Sequence, residues 1–256
     1  MERNKLTLNK DKTHLLVMTS KEKHRIHGNF DITLDTGSKI IKPDDSQKLL
    51  GGVISSDLKW NKHIKDEPKL SMLKSITSRI NALSKITKVS NFKNRKMLAN
   101  GIVMSKICYL IQLWGGCNEF LLTLLQKLQN RAARLVTRLG WYTPIPTLLT
   151  HCGWLSVRQL VVYHSLLQVF KTRNSKLPLF LHEKISNEFK YNTRLAAGSG
   201  MRLENKNALS EIGKQSFSQR SVLLWNNLPV NIRQSESLLI FKSSLKDWVK
   251  NNIPVG

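Results

Sequence analysis

The sequence predicts an α+β fold, in which a small antiparallel β module precedes a mostly α-helical basic bundle. Before residue 60, short apolar runs alternate with turn residues such as Asp35-Thr36-Gly37-Ser38, a pattern typical of strands joined by tight turns. From Asn61 onward the apolar residues recur at helical spacing instead. We therefore expect a β module over residues 1–60, a basic helical bundle over 61–175 and a C-terminal helical tail over 176–256.

The expected strands are short and lie close together in the sequence. His14–Thr19 is an apolar run of strand length. Asp31–Leu34 and Lys39–Ile41 flank the turn at 35–38, whose glycine suits a positive φ angle. Lys48–Ser55 is a further candidate strand, although its glycine pair disfavours a strand interior.

The expected helices are bounded by recognisable start and stop signals. A helical run begins at Asn61 and includes Ile86. Glycines end the next two helices, and Ser156 and Ser237 are candidate N-caps for later ones. After the first run, the expected helices cover Phe92–Trp114, Phe120–Leu139, Ser156–Phe170, Phe217–Asn227 and Ser237–Asn251.

Positive charge is concentrated in the middle of the chain. The formal net charge is +24, and the stretch from Pro68 to His182 has seventeen Lys and Arg against one acidic residue, Glu119. Because such a field opposes compaction unless a negative partner answers it, we expect a polyanion as partner. RNA or DNA is the favoured polyanion, since each neutralised phosphate releases condensed counterions. The 41% apolar content is that of a folded protein.

Several other classes of protein find no support in the sequence. Cys108, Cys117 and Cys152 have no framework spacing, which favours a reduced, intracellular setting. With His151 they also lack the paired spacing of a zinc site. No run has the length of a signal peptide's apolar core or of a membrane span, so no membrane partner is expected. The sequence contains no nucleophile elbow, phosphate-binding glycine loop or dinucleotide fingerprint.

The expected helix Phe120–Leu139 has the most informative pattern. Its apolar residues fall within an arc of about 100°; they are Leu121, Leu124, Leu125, Leu128, Ala132, Leu135 and Leu139. Within about 60° beside that arc, and over roughly 16 Å, lies the basic ridge, which consists of Lys127, Arg131, Arg134 and Arg138. A phosphate backbone suits such a line of cations, because arginine can hold a phosphate bidentately. A solvated face with extended arginines is the alternative.

Lys93, Arg95 and Lys96 are a second candidate contact with nucleic acid. They open the helix expected from Phe92 without any acidic residue, although cations oppose the dipole at a helix N-terminus. An external phosphate would offset that local cost. Tryptophans at apolar helical positions are expected in the core rather than as base-stacking surfaces; they are Trp114, Trp154, Trp225 and Trp248.

Four segments of the chain resemble one protein family in their sequences and in their order along the chain. They are LNKDKT (Leu8–Thr13), KLLG to LKWNKHI (Lys48–Ile64), LQKLQNRAARLV (Leu125–Val136) and LWNNLPVNIR (Leu224–Arg233). Together they resemble the C-terminal region of reverse transcriptases from non-LTR (LINE-type) retrotransposons. The resemblance implies that the chain comprises the end of the palm, the thumb and the tail that follows the thumb.

The resemblance also implies what this chain does not supply. In that family the polymerase aspartates precede the LNKDKT segment, so we expect no catalytic residues and no activity from this chain alone. Mg²⁺ is expected only in the intact parent polymerase, and no cofactor or metal here. Lys12 matches a lysine that lies near the nucleotide phosphates in the family. Asp44 and Asp45 follow a proline in a turn composition, and we expect a solvated turn there.

The sequence thus leads to a function hypothesis with two alternatives. The first is a fragment of a retrotransposon RNA-directed DNA polymerase that retains the nucleic-acid-gripping thumb but lacks the catalytic aspartates. Its partners would be RNA or DNA, duplex or single-stranded, held through phosphates, and a palm domain. The alternatives are a domesticated, non-catalytic RNA- or DNA-binding protein and an unstable pseudogene product. A nuclear or cytoplasmic location is expected in each case.

Overall fold

A computed structural model describes residues 9–18, 32–37, 40–67, 71–88, 90–175, 178–185, 202–204 and 208–255. Within these residues, two antiparallel two-stranded sheets precede a succession of helices, which confirms the α+β class. The chain divides into two compact units, Met1–Ser71 and Met72–Gly256.

Two β-hairpins shape the first unit. β1 (Leu34–Asp35) pairs with β2 (Ile40–Ile41), so that Leu34 lies opposite Ile41. The Asp35 carboxylate accepts a hydrogen bond of 2.7 Å from the backbone N–H of Gly37, whose φ is +79°. Gly37 therefore has the positive φ angle that the sequence predicts for the turn at 35–38, of which Ser38 lies outside the described residues.

The second hairpin corrects the expectation of one strand over Lys48–Ser55. β3 (Ser46–Leu49) pairs with β4 (Gly52–Ser55), and the chain reverses at Leu50-Gly51. Both turn residues have positive φ, 47° and 80°, as a two-residue type I′ turn requires. Of the glycine pair that argued against a strand interior, Gly51 is therefore a turn residue and Gly52 begins β4.

The strand expected over His14–Thr19 is also not formed as predicted. Among its described residues, Leu15 makes an isolated bridge with Pro43, and Thr19 lies outside the described part of the chain. The first unit buries Ile41, Val53 and Ile64. A π-helical turn that includes Ile64, Lys62–Asp66, contacts β4 and completes this small core.

The described residues of the second unit form helices joined by turns and loops, and contain no strand. A π-helical turn, Asn100–Met104, separates its second and third helices. The helices are α1 (Met72–Ile86), α2 (Phe92–Ala99), α3 (Ser105–Cys108), α4 (Ile111–Trp114), α5 (Glu119–Thr137), α6 (Ile145–Cys152), α7 (Val157–Ser175), α8 (Leu179–Ile185), α9 (Glu211–Gln215), α10 (Phe217–Asn226), α11 (Val230–Arg233) and α12 (Leu238–Asn252).

Two long helices organise the packing of this unit. α5 packs against α1, α2, α6 and α7, and α7 packs in turn against α4, α10 and α12. Trp114, Trp225 and Phe241 are fully buried. The Phe241 ring stacks on Phe170 with centroids 4.1 Å apart, so that the helices of residues 208–255 close over α7.

The continuous helix expected over Phe92–Trp114 is wrong, because the chain breaks between α3 and α4. Tyr109 is extended and Leu110 is left-handed, with a φ of 55°. The break directs Trp114 into the core, where its indole N–H donates a 2.8 Å hydrogen bond to the Tyr109 carbonyl. Burial of the largest side chain in the segment accompanies this local departure from helix.

The buried face of α5 is also rotated from the expected leucine arc. Leu121, Leu125 and Ala132 are buried as predicted. Gln126 and Gln129 join them, however, while Leu124, Leu128, Leu135 and Leu139 are only half-buried. Gln129 Nε2 donates to the Leu155 carbonyl at 2.8 Å, and Gln126 Oε1 accepts from Val157 N at 2.8 Å. Buried glutamines thus satisfy backbone groups at the start of α7.

Candidate nucleic-acid interface

The basic ridge lies along the outer side of α5. Lys127, Arg131 and Arg138 are exposed, whereas Arg134 is half-buried. Arg131 donates to the Asn81 side-chain oxygen on α1 at 2.8 Å. Arg134 donates to the Trp141 carbonyl at 3.3 Å. These acceptors hold the guanidinium groups in place without neutralising them.

Arg138 has the most constrained position on the ridge. α5 ends at Thr137, and Arg138 follows as a left-handed C-cap with a φ of 57°. Its Nη2 donates to the carbonyl oxygens of Thr87 and, at 3.0 Å, of Lys88, directly after α1. Because unpaired carbonyls at a helix C-terminus carry partial negative charge, the cation is favoured there. The ridge therefore ends in a clamp between α5 and α1.

Acidic side chains do not offset the positive charge of this surface. Glu119 is the one acidic residue in the sequence between Ser71 and Ser175. It lies at the first turn of α5 and forms an ion pair with Arg158 of α7. Its distance along the helix, at 1.5 Å per residue, is about 12 Å from Lys127 and about 18 Å from Arg131, both longer than the Debye length of about 8 Å at physiological salt. Glu119 therefore does not compensate the ridge.

Arg95 corrects the expectation that all three cations at the start of α2 face an external phosphate. Its side chain is only 6% exposed. Nε donates to the Val136 carbonyl in the last turn of α5 at 2.8 Å, and Nη1 donates to the Ser90 carbonyl at 2.6 Å. Burial, with a smaller contribution from Arg138, lowers the pKa of the Arg95 guanidinium. Arg95 therefore joins α2 to α5 inside the unit.

Lys93 and Lys96, the neighbours of Arg95, have different surroundings. Lys93 is exposed in the first turn of α2, which begins after Asn91 caps the backbone N–H of Asn94 at 2.9 Å. Lys96 is half-buried, and its Nζ would lie 3.4 Å from a Cβ atom placed on Gly153, the left-handed C-cap of α6. Lys93 therefore remains available to an external anion, whereas Lys96 lies beside a helix C-terminus.

Lys12 belongs to the first unit, where it is exposed in the short helical turn Lys10–Lys12. Asn9 caps that turn by accepting from the backbone N–H of Lys12 at 3.2 Å. The position leaves the ammonium group open to a phosphate, but the structure brings no second feature of a nucleotide site to it within the described residues of this turn.

The acidic pair Asp44 and Asp45 lies in the first unit, and each carboxylate has its own neighbours. Asp44 accepts from the Gln47 amide at 2.7 Å and contacts His14 Nδ1 at 3.1 Å. Asp45 is largely exposed and lies 3.7 Å from Lys62 Nζ. In the described part of the chain, no group of three or more His, Cys, Asp or Glu is arranged to hold a metal ion.

Sequence reasoning missed two exposed aromatic residues beside the ridge. Trp141 and Tyr142 are 76% and 97% exposed in the loop between α5 and α6. The Arg134 guanidinium lies over the Trp141 ring, 4.6 Å from its centroid. The available signal was the position of both aromatics between a helix-ending Gly140 and a helix-starting Pro144.

The tryptophans that the sequence assigned to the core lie there with one exception. Trp114, Trp154 and Trp225 are buried, whereas Trp248 is half-buried. Burial raises the pKa of the Cys108 and Cys152 thiols to about 11 and that of Cys117 to about 12, which favours their protonated form at neutral pH.

No protein-family model, curated protein or solved structure matches the chain. The likeness to retrotransposon reverse transcriptases therefore rests on the four sequence motifs alone. As far as its helices are described, none is long and apolar enough to cross a membrane.

Proposed function

We propose that the second unit grips nucleic acid through phosphate groups, without sequence specificity, along the basic ridge of α5. The observation that carries this proposal is a line of four cations, of which three arginines are fixed in place by neutral acceptors. Arg131 is held by an amide oxygen and Arg138 by backbone carbonyls, so each keeps its charge while losing part of its conformational freedom. A prearranged cation loses less entropy when it contacts a phosphate.

The shape of the ridge favours a polymer over a small anion. Lys127, Arg131 and Arg134 extend over roughly 11 Å along α5, Arg138 follows directly as its C-cap, and Lys93 adds exposed charge at the start of α2. Small anions would occupy one point on this line, whereas a strand of phosphates can neutralise several cations at once. Each neutralised phosphate releases counterions, so every contact adds to the affinity.

The four sequence motifs support a more specific role for this grip. In a reverse transcriptase the thumb holds primer and template by their backbones while the palm performs the chemistry. We assign this chain the gripping part of an RNA-directed DNA polymerase of the non-LTR type, because its motifs match the region that follows the catalytic aspartates. The Mg²⁺ ions of that activity do not fit Asp44 and Asp45, whose carboxylates contact His14, Gln47 and Lys62.

Binding as a function of salt tests the grip directly. Fluorescence anisotropy of labelled RNA and DNA, single-stranded and duplex, is measured with the full chain between 50 and 300 mM salt. Four phosphate contacts predict a slope of log K against log salt of about −3.6 for duplex DNA and about −2.8 for a single strand. A slope near zero, or no binding at 50 mM salt, contradicts the proposal.

Primer extension tests whether the chain binds nucleic acid without polymerase activity of its own. The purified full chain is incubated with a primed RNA template, the four deoxynucleotides and Mg²⁺, with an active reverse transcriptase as positive control. We expect no incorporation above the background without protein. Extension that persists through purification and depends on the chain would contradict this part of the proposal.

A further inference from the structure

The loop from Arg138 to Pro144 holds two adjacent aromatic residues in solvent. Isolated exposed apolar side chains are common on protein surfaces. Trp141 and Tyr142 differ from that background because they are adjacent, because they are 76% and 97% exposed, and because they directly follow the basic ridge. Neither side chain contributes much apolar burial to the fold in this position.

Hydrogen bonds anchor this loop at both ends. At its start, Arg138 donates to the carbonyl oxygens that follow α1. In its middle, the backbone N–H of Thr143 donates to the Gly140 carbonyl at 3.1 Å. At its end, Pro144 is the N-cap of α6, and its carbonyl accepts from the backbone N–H of Leu148 at 3.1 Å. The exposure of the two rings is therefore a feature of a fixed turn.

Arg134 connects the aromatic pair to the ridge. Its guanidinium lies 4.6 Å from the Trp141 ring centroid, and its Nη2 donates to the carbonyl of the same residue at 3.3 Å. A cation over one face of an indole is a favourable arrangement. It orients the ring beside the cations and leaves most of the side chain accessible, as the exposure of Trp141 shows.

We propose that Trp141 and Tyr142 stack on unpaired bases of a strand whose phosphates lie along the basic ridge. This inference rests on the proposed function and specifies its substrate: a single strand, or the single-stranded overhang of a duplex. In a duplex the base faces are already stacked on each other, so side chains reach them only where bases are unpaired. Every base has a π-face, so the contact adds affinity without reading sequence.

The charge of the surrounding surface favours this occupant over a protein. Lys127, Arg131 and Arg134 lie on the adjoining face of α5, and the acidic residue of that helix lies at its opposite end. An apolar protein segment would complement the rings but leave these cations desolvated and unpaired, which is unfavourable. A nucleic acid strand supplies both phosphates and aromatic faces.

Oligonucleotides with accessible bases, without bases and with paired bases test the stacking, and the duplex should show no gain over the abasic strand beyond its higher charge density. Three labelled probes with equal numbers of phosphates are compared with the full chain: an oligothymidine strand, the same strand with abasic sites throughout, and a blunt duplex. We expect the base-containing strand to bind at least about 5-fold more tightly than the abasic strand, the effect of stacking one base. The doubly substituted chain Trp141→Ala/Tyr142→Ala should lose this preference and retain the salt dependence on the abasic strand.

A matched control variant and a second readout distinguish a loss of stacking from a loss of folding. Phe180→Ala removes another exposed aromatic ring, 65% exposed on α8, and should keep the preference. Trp141→Phe retains an aromatic face and should keep part of it. The fluorescence lost between the wild-type chain and Trp141→Phe reports on Trp141 alone, and we expect the oligothymidine strand to quench that component more than the abasic strand does.

The possible outcomes separate stacking from the phosphate grip. Equal affinity for base-containing and abasic strands, with a steep salt dependence, would overturn stacking and leave the grip in place. A preference that survives in Trp141→Ala/Tyr142→Ala would also overturn it. Absence of binding to all three probes would overturn both the stacking and the proposed function.

Discussion

Neutralisation of Lys127 and Arg131 provides the sharpest test of the basic ridge. Both side chains are exposed, and they lie one helical turn apart on α5. The structure predicts a small effect of Lys127→Gln/Arg131→Gln on folding, because within the described part of the chain the hydrogen bond lost is the exposed contact of Arg131 with Asn81. Such a bond contributes about 0.5–1.5 kcal/mol. A loss of binding in this variant therefore reports on the interface.

The expected magnitude follows from the number of cations removed. Each phosphate contact contributes about 0.9 to the slope of log K against log salt for duplex DNA and about 0.7 for a single strand. Loss of two contacts should reduce the slope by about 1.8 or about 1.4. At 0.15 M salt the same release terms correspond to a loss of affinity of about 30-fold for duplex and about 15-fold for a single strand.

α12 offers a control with the same charge change and the same spacing. Lys246 and Lys250 are exposed and four residues apart on that helix, so Lys246→Gln/Lys250→Gln alters net charge equally. Anisotropy titrations at four salt concentrations give the slopes, and thermal melts verify that both variants fold. The reasoning is refuted if the α5 variant keeps the wild-type slope, or if the α12 variant loses as much, since binding would then follow total charge.

Three further predictions concern stability. Arg95→Met should lower the free energy of unfolding by about 2–4 kcal/mol in denaturant titrations, because two charged hydrogen bonds to carbonyls are lost. Binding per folded molecule should be unchanged. A stability equal to that of the wild-type chain would count against the role of Arg95 in joining α2 to α5. Iodoacetamide should alkylate Cys117 and Cys152 far more slowly in the folded than in the unfolded chain, since burial raises their pKa values to about 12 and about 11. Because unfolded thiols ionise near pH 9, the stabilisation from their protonated folded form is complete below that pH and declines above it; equal alkylation rates would contradict this. An oligonucleotide at about 100 times its Kd should stabilise the chain by about 2.7 kcal/mol at low salt, measured as a rise in Tm that high salt abolishes; a lower Tm would mean preferential binding to the unfolded chain.

Local signals in the sequence were sufficient where an element depends on its own residues. The start of α7 has the predicted cap, since Ser156 Oγ accepts from Gln159 N at 3.3 Å and Gln159 Oε1 accepts from Ser156 N at 3.0 Å. At the start of α12, the predicted cap Ser237 Oγ accepts from Ile240 N at 3.3 Å. Gly140 limited α5 to within two residues of its observed end at Thr137. These features need no information about distant parts of the chain.

Long-range contacts explain what the sequence pattern missed. Gln126 and Gln129 count as polar positions in any pattern, yet they are buried because their amides satisfy backbone groups of Leu155 and Val157. Arg95 likewise counts as a surface cation until the carbonyl of Val136, forty-one residues away, is known to accept its hydrogen bond. Residue type predicts burial only when the partner of a polar group lies within the same element.

The sequence pattern also predicted the candidate site only in part, because it does not show contacts between different elements. Three of the four ridge positions are exposed, as expected from their place beside the leucine arc. The aromatic pair next to them was missed, because composition gives tryptophan a high probability of burial and cannot show that Arg134 covers one face of Trp141 from outside the core. An aromatic residue in a short turn between two helices is the kind of position where this expectation fails.

Carbonyl groups near helix C-termini stabilise arginine side chains in this protein, as acidic side chains do in most proteins. Arg138 donates to carbonyls that follow α1, Arg95 to a carbonyl in the last turn of α5, and Arg220 to the Gln112 carbonyl in α4. Burial lowers the pKa of Arg220 to about 10, so it remains a cation at neutral pH. Carbonyls at helix C-termini stabilise these cations through the dipole while leaving the net charge intact. The fold can therefore tolerate a basic middle in which Glu119 is the one acidic residue, and the charge that it leaves unneutralised is what a polyanion can bind.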